Sequence, residues 1–396
     1  MKTLRPLLLA ALPLLALAEP LTLPDFLDLV EAHNPDLRAA RAATDAARSG
    51  VSLARALPDP EIEFMFETMD GDTDFRSVEL RQSLPAWGMR NAGRNMSRAE
   101  TDAAAASADA LLARLRGEAV QRWADLAAMD AEIALQLDRI ALWETLAAVA
   151  EARVRGGAPA RDLWRAEDRL AMAKDMLQTL QSRRTGMAAA LTRLARRDPG
   201  APLILPDPTD PPDPTGLTPV LRQAAAMESM ADAETAMARA ERRPMVMFML
   251  EQEFAPSSGM GEDATMASVG FSIPLWPGKN RARTERATAL RESAAAESAA
   301  MRDMQEADVH MYKANLADAR RRQNFLTEDL LPRAENTLAV TRDAYRAGTA
   351  PFTDLLEAED RLLQLRLSHI LARRDALRAA AGFETLGFPF NWSEQP

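Results

Sequence analysis

The feature that most constrains the fold of this sequence is an internal duplication. The segment LPAWGMRNAGR at 84–94 aligns without a gap on IPLWPGKNRAR at 273–283. Farther along, residues 155–170 match residues 346–362, and each of these segments begins with an arginine followed closely by glycine. Two matches in the same order indicate a tandem repeat, so each half is predicted to fold as the same unit.

The duplication divides the chain into four predicted parts. Residues 1–18 combine a charged start, an apolar stretch too short to span a bilayer and an Ala-Leu-Ala cleavage site, as in a secretory signal peptide. Residues 19–197 and 220–396 are the two repeats. The proline-dense segment 198–219 is predicted to be an extended linker, and a disordered linker describes the same residues equally well.

Each repeat is predicted to contain a helix, a β-hairpin and a long helical hairpin, so the fold is mixed α and β. Strand-like alternation covers 61–83 and 245–273. No proline interrupts residues 93–155, which as one helix would be a rod of about 90 Å. Apolar heptads follow, so the long helices are predicted to be antiparallel coiled coils with tips near 156–162 and 347–354.

The predicted strands have one apolar and one charged face. Period-two alternation puts nine side chains on the apolar face: Ile62, Phe64, Phe66, Val78, Leu80, Val246, Phe248, Val269 and Phe271. Hairpins of this kind are not stable alone, because the apolar face and both edges need partners. A barrel closed by several copies supplies both, so these nine residues are predicted to face lipid, and Glu63 and Glu67 the lumen.

Composition excludes several classes of function. The chain has no cysteine, so we expect no disulfide, thiolate metal site or lipid-modified cysteine. Its 58 acidic residues outnumber its 48 basic residues, which argues against nucleic-acid binding. The sequence has no nucleophile elbow, P-loop, HExxH motif or dinucleotide fingerprint. We therefore expect a protein that is not an enzyme and needs no cofactor.

Several segments resemble the TolC-like outer-membrane efflux proteins, the outer membrane factors of tripartite efflux systems. The most specific are 331–362 and IPLWPGKN at 273–280, and residues 21–23 and 34–37 resemble the start of these proteins. The resemblance covers essentially the whole chain after residue 18. It implies a homotrimer in which long antiparallel helices form a periplasmic α-barrel and two hairpins per protomer contribute to one twelve-stranded outer-membrane β-barrel.

The resemblance also implies a function and partners. Such a protein is an outer-membrane channel of a Gram-negative bacterium, with its sheet in outer-membrane lipid and its helices in the periplasm. It passively conducts substrate delivered by a periplasmic adaptor protein and an inner-membrane pump of the RND type. Residues 274–280 resemble the heavy-metal branch, so metal cations are the expected substrate and drugs the alternative. A periplasmic coiled-coil scaffold is a second hypothesis, which leaves the amphipathic hairpins unexplained.

Candidate functional residues lie near the helical tips. Asp354 and Glu357, three residues apart, would form carboxylate rings under threefold symmetry and are the predicted periplasmic gate, with a solvated helix face as the alternative. The predicted adaptor-docking residues are Arg155, Gly156, Gly157, Asp162, Arg346, Gly348 and Thr349. For the two arginines, a favourable position at a helix C-terminus is an equally good interpretation, and Asp162 is predicted to cap a helix.

Two further sets of residues belong to the hairpin regions. Pro85, Trp87, Pro274 and Trp276 are predicted to form the junction between barrel and helices, where tryptophans suit an interfacial belt and core packing is the alternative. Met245, Met247 and Met249 alternate along one strand. Their thioethers suit Cu(I), although methionine more often fills apolar space.

Overall fold

The computed structural model describes residues 21–69, 72–211, 216–255, 262–390 and 392. The predicted signal peptide at 1–18 lies outside the described residues, as do the turn residues 70–71 and most of the loop predicted between the strands of the second hairpin.

Each repeat starts with helices whose first turns are capped. Helix α1 spans Leu23–His33 and α2 spans Pro35–Leu53, and the side chains of Thr22 and Asn34 accept hydrogen bonds from the first free N–H groups. The second repeat starts with α5, Pro219–Ala240, capped by Thr218. A proline stands in the first turn of all three, where its missing N–H costs nothing.

The two hairpins join into one antiparallel sheet with the strand order β1-β2-β3-β4. The strands are β1 (Glu61–Met69), β2 (Asp72–Leu84), β3 (Val246–Glu253) and β4 (Ala264–Phe271). Because β2 pairs with β3, the hairpins of the two repeats are neighbours, and β1 and β4 are edge strands that lack a second partner in the described chain.

Long helices follow each hairpin. Helix α3 spans Met89–Arg155, 67 residues or about 100 Å, and α4 returns over Arg161–Ala195. In the second repeat α6 spans Pro277–Phe325, α7 spans Leu331–Ala347 and α8 spans Phe352–Leu386. Helix α3 packs on α2, α4, α5 and α8, and α6 packs on α5 and α8. None of the helices in the described ranges is long and apolar enough to cross a membrane.

A π-helical turn joins α6 to α7 close to Pro332. The turn covers Leu326–Leu330 and ends just before that proline. Proline has no N–H and its ring crowds the carbonyl four residues earlier, so one extra residue in the preceding turn lets the helix continue.

Residues 199–211, in the described part of the segment between the repeats, form an extended strap that packs on the helices. Leu203 and Leu205 are buried. The Trp123 indole N–H donates to the Ile204 carbonyl at 3.1 Å, and the Leu203 N–H donates to the buried Asp130 carboxylate at 2.8 Å. The same carboxylate pairs with Arg184, the residue that interrupts the apolar heptads of α4. The interruption therefore serves the docking of the strap.

Candidate functional site: a two-faced sheet and a paired helical tip

The register places all nine predicted lipid-facing residues on one face of the sheet. Phe64 pairs with Val78, Ile62 with Leu80, and the β3–β4 pairs continue the same face. A bulge at Arg76 in β2 keeps Phe75 on this face, where its ring centroid lies 5.4 Å from that of Phe66. Most of these side chains are exposed in the single chain, which leaves a continuous apolar surface uncovered.

The opposite face carries the charges. Six glutamates lie on it: Glu61, Glu63, Glu67, Glu79, Glu251 and Glu253. Arg81 contacts three of them, the shortest distance being 2.8 Å to Glu79, and Arg76 lies 2.9 Å from Glu67. Met247 and Met249 also lie on this face, so these two methionines are on the opposite side of the sheet from the aromatic side chains. Two arginines leave most of the carboxylate charge uncompensated.

The predicted junction residues lie where the sheet meets the helices. Trp87 is 87% exposed and Trp276 is 74% exposed, so neither packs in the core of this chain. Pro85 and Pro274 lie between the ends of the strands β2 and β4 and these tryptophans. Gly88 precedes α3 with φ +84°, a conformation that a β-carbon would strain. The exposure fits the predicted interfacial belt, which stays a prediction.

At the other end of the long helices, the two tips pack against each other. The Arg153 guanidinium lies 4.4 Å above the Tyr345 ring, and the rings of Tyr345 and Phe352 are 5.4 Å apart. Burial and the negative charge of Asp162 raise the pKa of Tyr345. This cluster brings the end of α3 to the turn between α7 and α8, although the two segments belong to different repeats.

Several turns further from the tips, an ion-pair network connects three helices. The Arg139 side chain of α3 donates to Glu359 at 2.9 Å and to Asp360 at 3.4 Å. Asp360 also accepts two hydrogen bonds of 3.1 Å from Arg169 of α4. Glu359 is only 4% exposed, and burial raises the pKa of its carboxyl even though Arg139 opposes the shift.

The predicted gate residues lie beside this network but outside it. Asp354 and Glu357 are exposed on α8, and neither forms an ion pair with any residue that the structure describes. They share one surface groove with Thr337 and Thr341 of α7. This position of Asp354 and Glu357 is compatible with a gate and equally with a solvated helix face.

The predicted docking residues occupy the turns at the two tips. Gly156 caps α3, and Gly157 and Gly348 have φ of +96° and +79°, which explains the glycines in both repeats. Arg155 and Arg346 are exposed in the last turns of α3 and α7, and Thr349 donates its hydroxyl to the Ala344 carbonyl. Asp162 was predicted to cap α4; it lies in the first turn, and the cap position is Ala160, whose side chain cannot bond.

Sequence reasoning missed the network of Arg139, Arg169, Glu359 and Asp360. A signal was present, because Leu355, Glu359 and Leu362 fall on one helix face and a carboxylate there interrupts an apolar stripe. No cluster of three or more carboxylates or histidines suited to a metal ion is found among the described residues.

The comparisons with known proteins agree with this architecture. The family model described as "Outer membrane efflux protein" matches residues 26–195 and 217–386, once for each repeat. The cobalt-zinc-cadmium resistance protein CzcC of Cupriavidus metallidurans is 23% identical over 384 residues, which cover 93% of this chain and 90% of that protein.

Solved structures share the fold. The outer membrane channel CmeC of Campylobacter jejuni has a TM-score of 0.80 at 13% identity, over 94% of this chain and 87% of that chain. The outer membrane protein VceC of Vibrio cholerae has a TM-score of 0.78 at 19% identity, over 93% of this chain and 97% of that chain. With two matches of the family model that together span most of the sequence, this chain belongs to the outer membrane efflux protein family.

Proposed function

We propose that three copies of this chain form one outer-membrane duct that passively conducts cations out of the periplasm. Their four-stranded sheets would close into a twelve-stranded barrel in the outer membrane, and their long helices would line a periplasmic tunnel. The observation that carries this proposal is the sheet at the end of the long helices, one of which, α3, is about 100 Å long. The sheet has an apolar aromatic face, a charged face and two edges that are unpaired in the described chain.

Closure of the barrel accounts for both unsatisfied features of the sheet. An edge strand with free N–H and C=O groups is not viable in lipid, and pairing β4 of one copy with β1 of the next removes every edge. The same closure turns the aromatic face outwards to lipid and the glutamates inwards. A scaffold without a channel gives no role to either face.

The charge of the inner face favours cations. Six glutamates against two arginines per copy leave a net negative lumen, and threefold symmetry multiplies it. The metal-resistance name of CzcC supports metal cations as the transported class. The methionines on this face would supply weak soft ligands along the same path, and a filler role is the competing interpretation.

At the periplasmic end, we propose that the glycine turns at 156–157 and 348 form the docking surface for an adaptor protein, which couples the duct to an inner-membrane pump of the RND type. Asp354 and Glu357 would then narrow the entrance as two carboxylate rings. Their exposure and lack of ion pairs in the described chain support this, because no cationic side chain there offsets the negative charge of the two carboxylates.

The proposal is tested by separating the membranes of cells that produce the protein and crosslinking the outer-membrane fraction. A crosslinked trimer in that fraction is expected. A monomer in the soluble periplasmic fraction would instead support the scaffold. Purified trimer that conducts cations and anions equally would retain the duct and overturn the cation preference.

A further inference from the structure

Three arginines without acidic partners line one concave surface at the junction between β2 and α3. Arg55, Arg90 and Arg94 share it with Trp87 and Leu84. None of the three forms an ion pair within the described chain. Arg90 donates to the Arg55 carbonyl at 2.8 Å, and Arg94 donates to Asn91. The Arg94 Nε is buried and has no hydrogen-bond partner among the described residues, which is costly unless a ligand supplies one.

The second repeat provides an internal comparison. In the alignment of the repeats, Arg283 corresponds to Arg94, and Arg283 forms an ion pair with Glu241. Glu241 is the C-cap residue of α5, whereas the C-cap residue of α2 is Ala54. The first repeat therefore has the arginine without the carboxylate that neutralises it in the second repeat.

An apolar groove of about 560 Å³ continues from this surface. Its lining includes Leu53, Leu57, Pro58, Pro85, Met89 and Met96, and it shares Leu57, Pro85 and Arg90 with the basic surface. The carboxylates nearby, Asp59 in the adjoining loop and Glu100 in the lining, form no ion pair with the arginines. A basic surface that opens into an apolar groove is complementary to a molecule with an anionic head and an apolar tail.

The groove lies at the end of the aromatic face that adjoins the helices. Gln82 belongs to that face, because it pairs with Phe248, and its side chain donates to the Pro58 carbonyl at 2.9 Å. Trp87 is exposed beside the same surface. This step rests on the proposed function. Under it, the end of the aromatic face that adjoins the helices lies at the periplasmic boundary of the outer membrane, where tryptophan rings prefer to lie.

We propose that this junction binds an anionic phospholipid of the periplasmic leaflet. The phosphate would lie between the guanidinium groups of Arg55, Arg90 and Arg94, which present forked donors suited to phosphate oxygens. One acyl chain would occupy the groove beside Leu57. Each trimer would carry three such sites, one at the first repeat of each copy. The lipid would cover the apolar groove.

The test counts the lipids that stay bound to the purified trimer in native mass spectrometry after exchange into equal amounts of phosphatidylglycerol and phosphatidylcholine. The unaltered trimer is expected to retain phosphatidylglycerol selectively. Ala54→Glu, which installs the carboxylate of the second repeat, should remove most of this selectivity without removing an arginine. Arg94→Gln should weaken retention about fivefold, the usual effect of one basic residue at an anionic surface.

A matched control removes one positive charge elsewhere: Arg302→Gln, at an exposed arginine without an ion pair in the described chain, should leave retention unchanged. Equal retention of the two lipids by the unaltered trimer overturns the inference, as does unchanged selectivity in Ala54→Glu. Efficient crosslinking of Leu57→Cys to a neighbouring copy also overturns it, because the groove would then be a subunit interface. Conductance of the same preparations reports separately on the duct, so loss of lipid selectivity with normal conductance affects this inference alone.

Discussion

The Arg139 guanidinium lies 2.9 Å from the Glu359 carboxylate, although α3 and α8 belong to different repeats. Glu359 is buried and its second oxygen has no hydrogen-bond partner among the described residues. Arg139→Met leaves this carboxylate unpaired inside the bundle, so we expect a loss of about 3 kcal/mol of stability in chemical unfolding. Arg155→Met, at the exposed end of the same helix, is the control and should cost less than about 1 kcal/mol. Equal losses of stability in the two variants would contradict the assignment of Arg139 and Glu359 as a buried ion pair.

The same carboxyl gives the helical tips a pH dependence. Burial raises the pKa of Glu359 above its ordinary value of 4.5, so the folded chain holds this proton more tightly than the unfolded chain. The contribution of Glu359 to stability is therefore present below pH 4.5 and is lost as the pH rises through the raised pKa. We expect Glu359→Gln to flatten the stability profile above pH 4.5, measured by chemical unfolding at a series of pH values. A slope as steep as that of the unaltered protein would be evidence against this.

The gate is tested by neutralising its two carboxylates. Asp354→Asn with Glu357→Gln should lower the cation preference of the channel and its block by multivalent cations, since the rings would lose their charge. Asp303→Asn with Glu306→Gln on α6 is a control with the same residue types, spacing and exposure. Glu359 and Asp360 are unsuitable as controls, because both are paired with Arg139. Equal effects of the two double changes would place the constriction elsewhere.

The two faces of the sheet predict opposite responses to a new charge. Phe64→Arg puts a charge on the aromatic face, where near mid-bilayer it should cost roughly 2 to 4 kcal/mol and reduce the amount of trimer in the outer membrane. Met65→Arg, one position along on the charged face, should leave trimer levels near normal. The amount of crosslinked trimer in isolated membranes measures both. Equal trimer levels for the two variants would mean that the faces are assigned wrongly.

The strap between the repeats depends on one carboxylate. Asp130→Ala removes the acceptor of the Leu203 N–H and the partner of Arg184, and we expect faster proteolysis within residues 199–211 and a loss of about 3 kcal/mol. Arg183 is the exposed neighbour of Arg184 on α4, and Arg183→Ala should change neither the rate of proteolysis nor the stability. Proteolysis that is no faster in Asp130→Ala than in Arg183→Ala would show that the strap is held by other contacts.

Local periodicity predicted the helices, the hairpins and the two faces of the sheet, since each depends on residues that are close in the chain. The glycine tips were predicted for the same reason. The paired tips, the network at Arg139 and the docked strap were not, because their contacts join residues far apart in sequence and leave only weak signals. Arg184 illustrates the difference: it looks like a heptad defect in sequence, and it is the partner of a buried carboxylate in the structure.

The reversal potential of the purified full chain, measured in a planar bilayer under a salt gradient, tests whether the protein is a trimeric cation-conducting duct. We expect discrete channels whose reversal potential lies towards the value for cations, from a species that native mass spectrometry identifies as a trimer. Absence of channels from trimer of verified fold, or a reversal potential towards the value for anions, would contradict it.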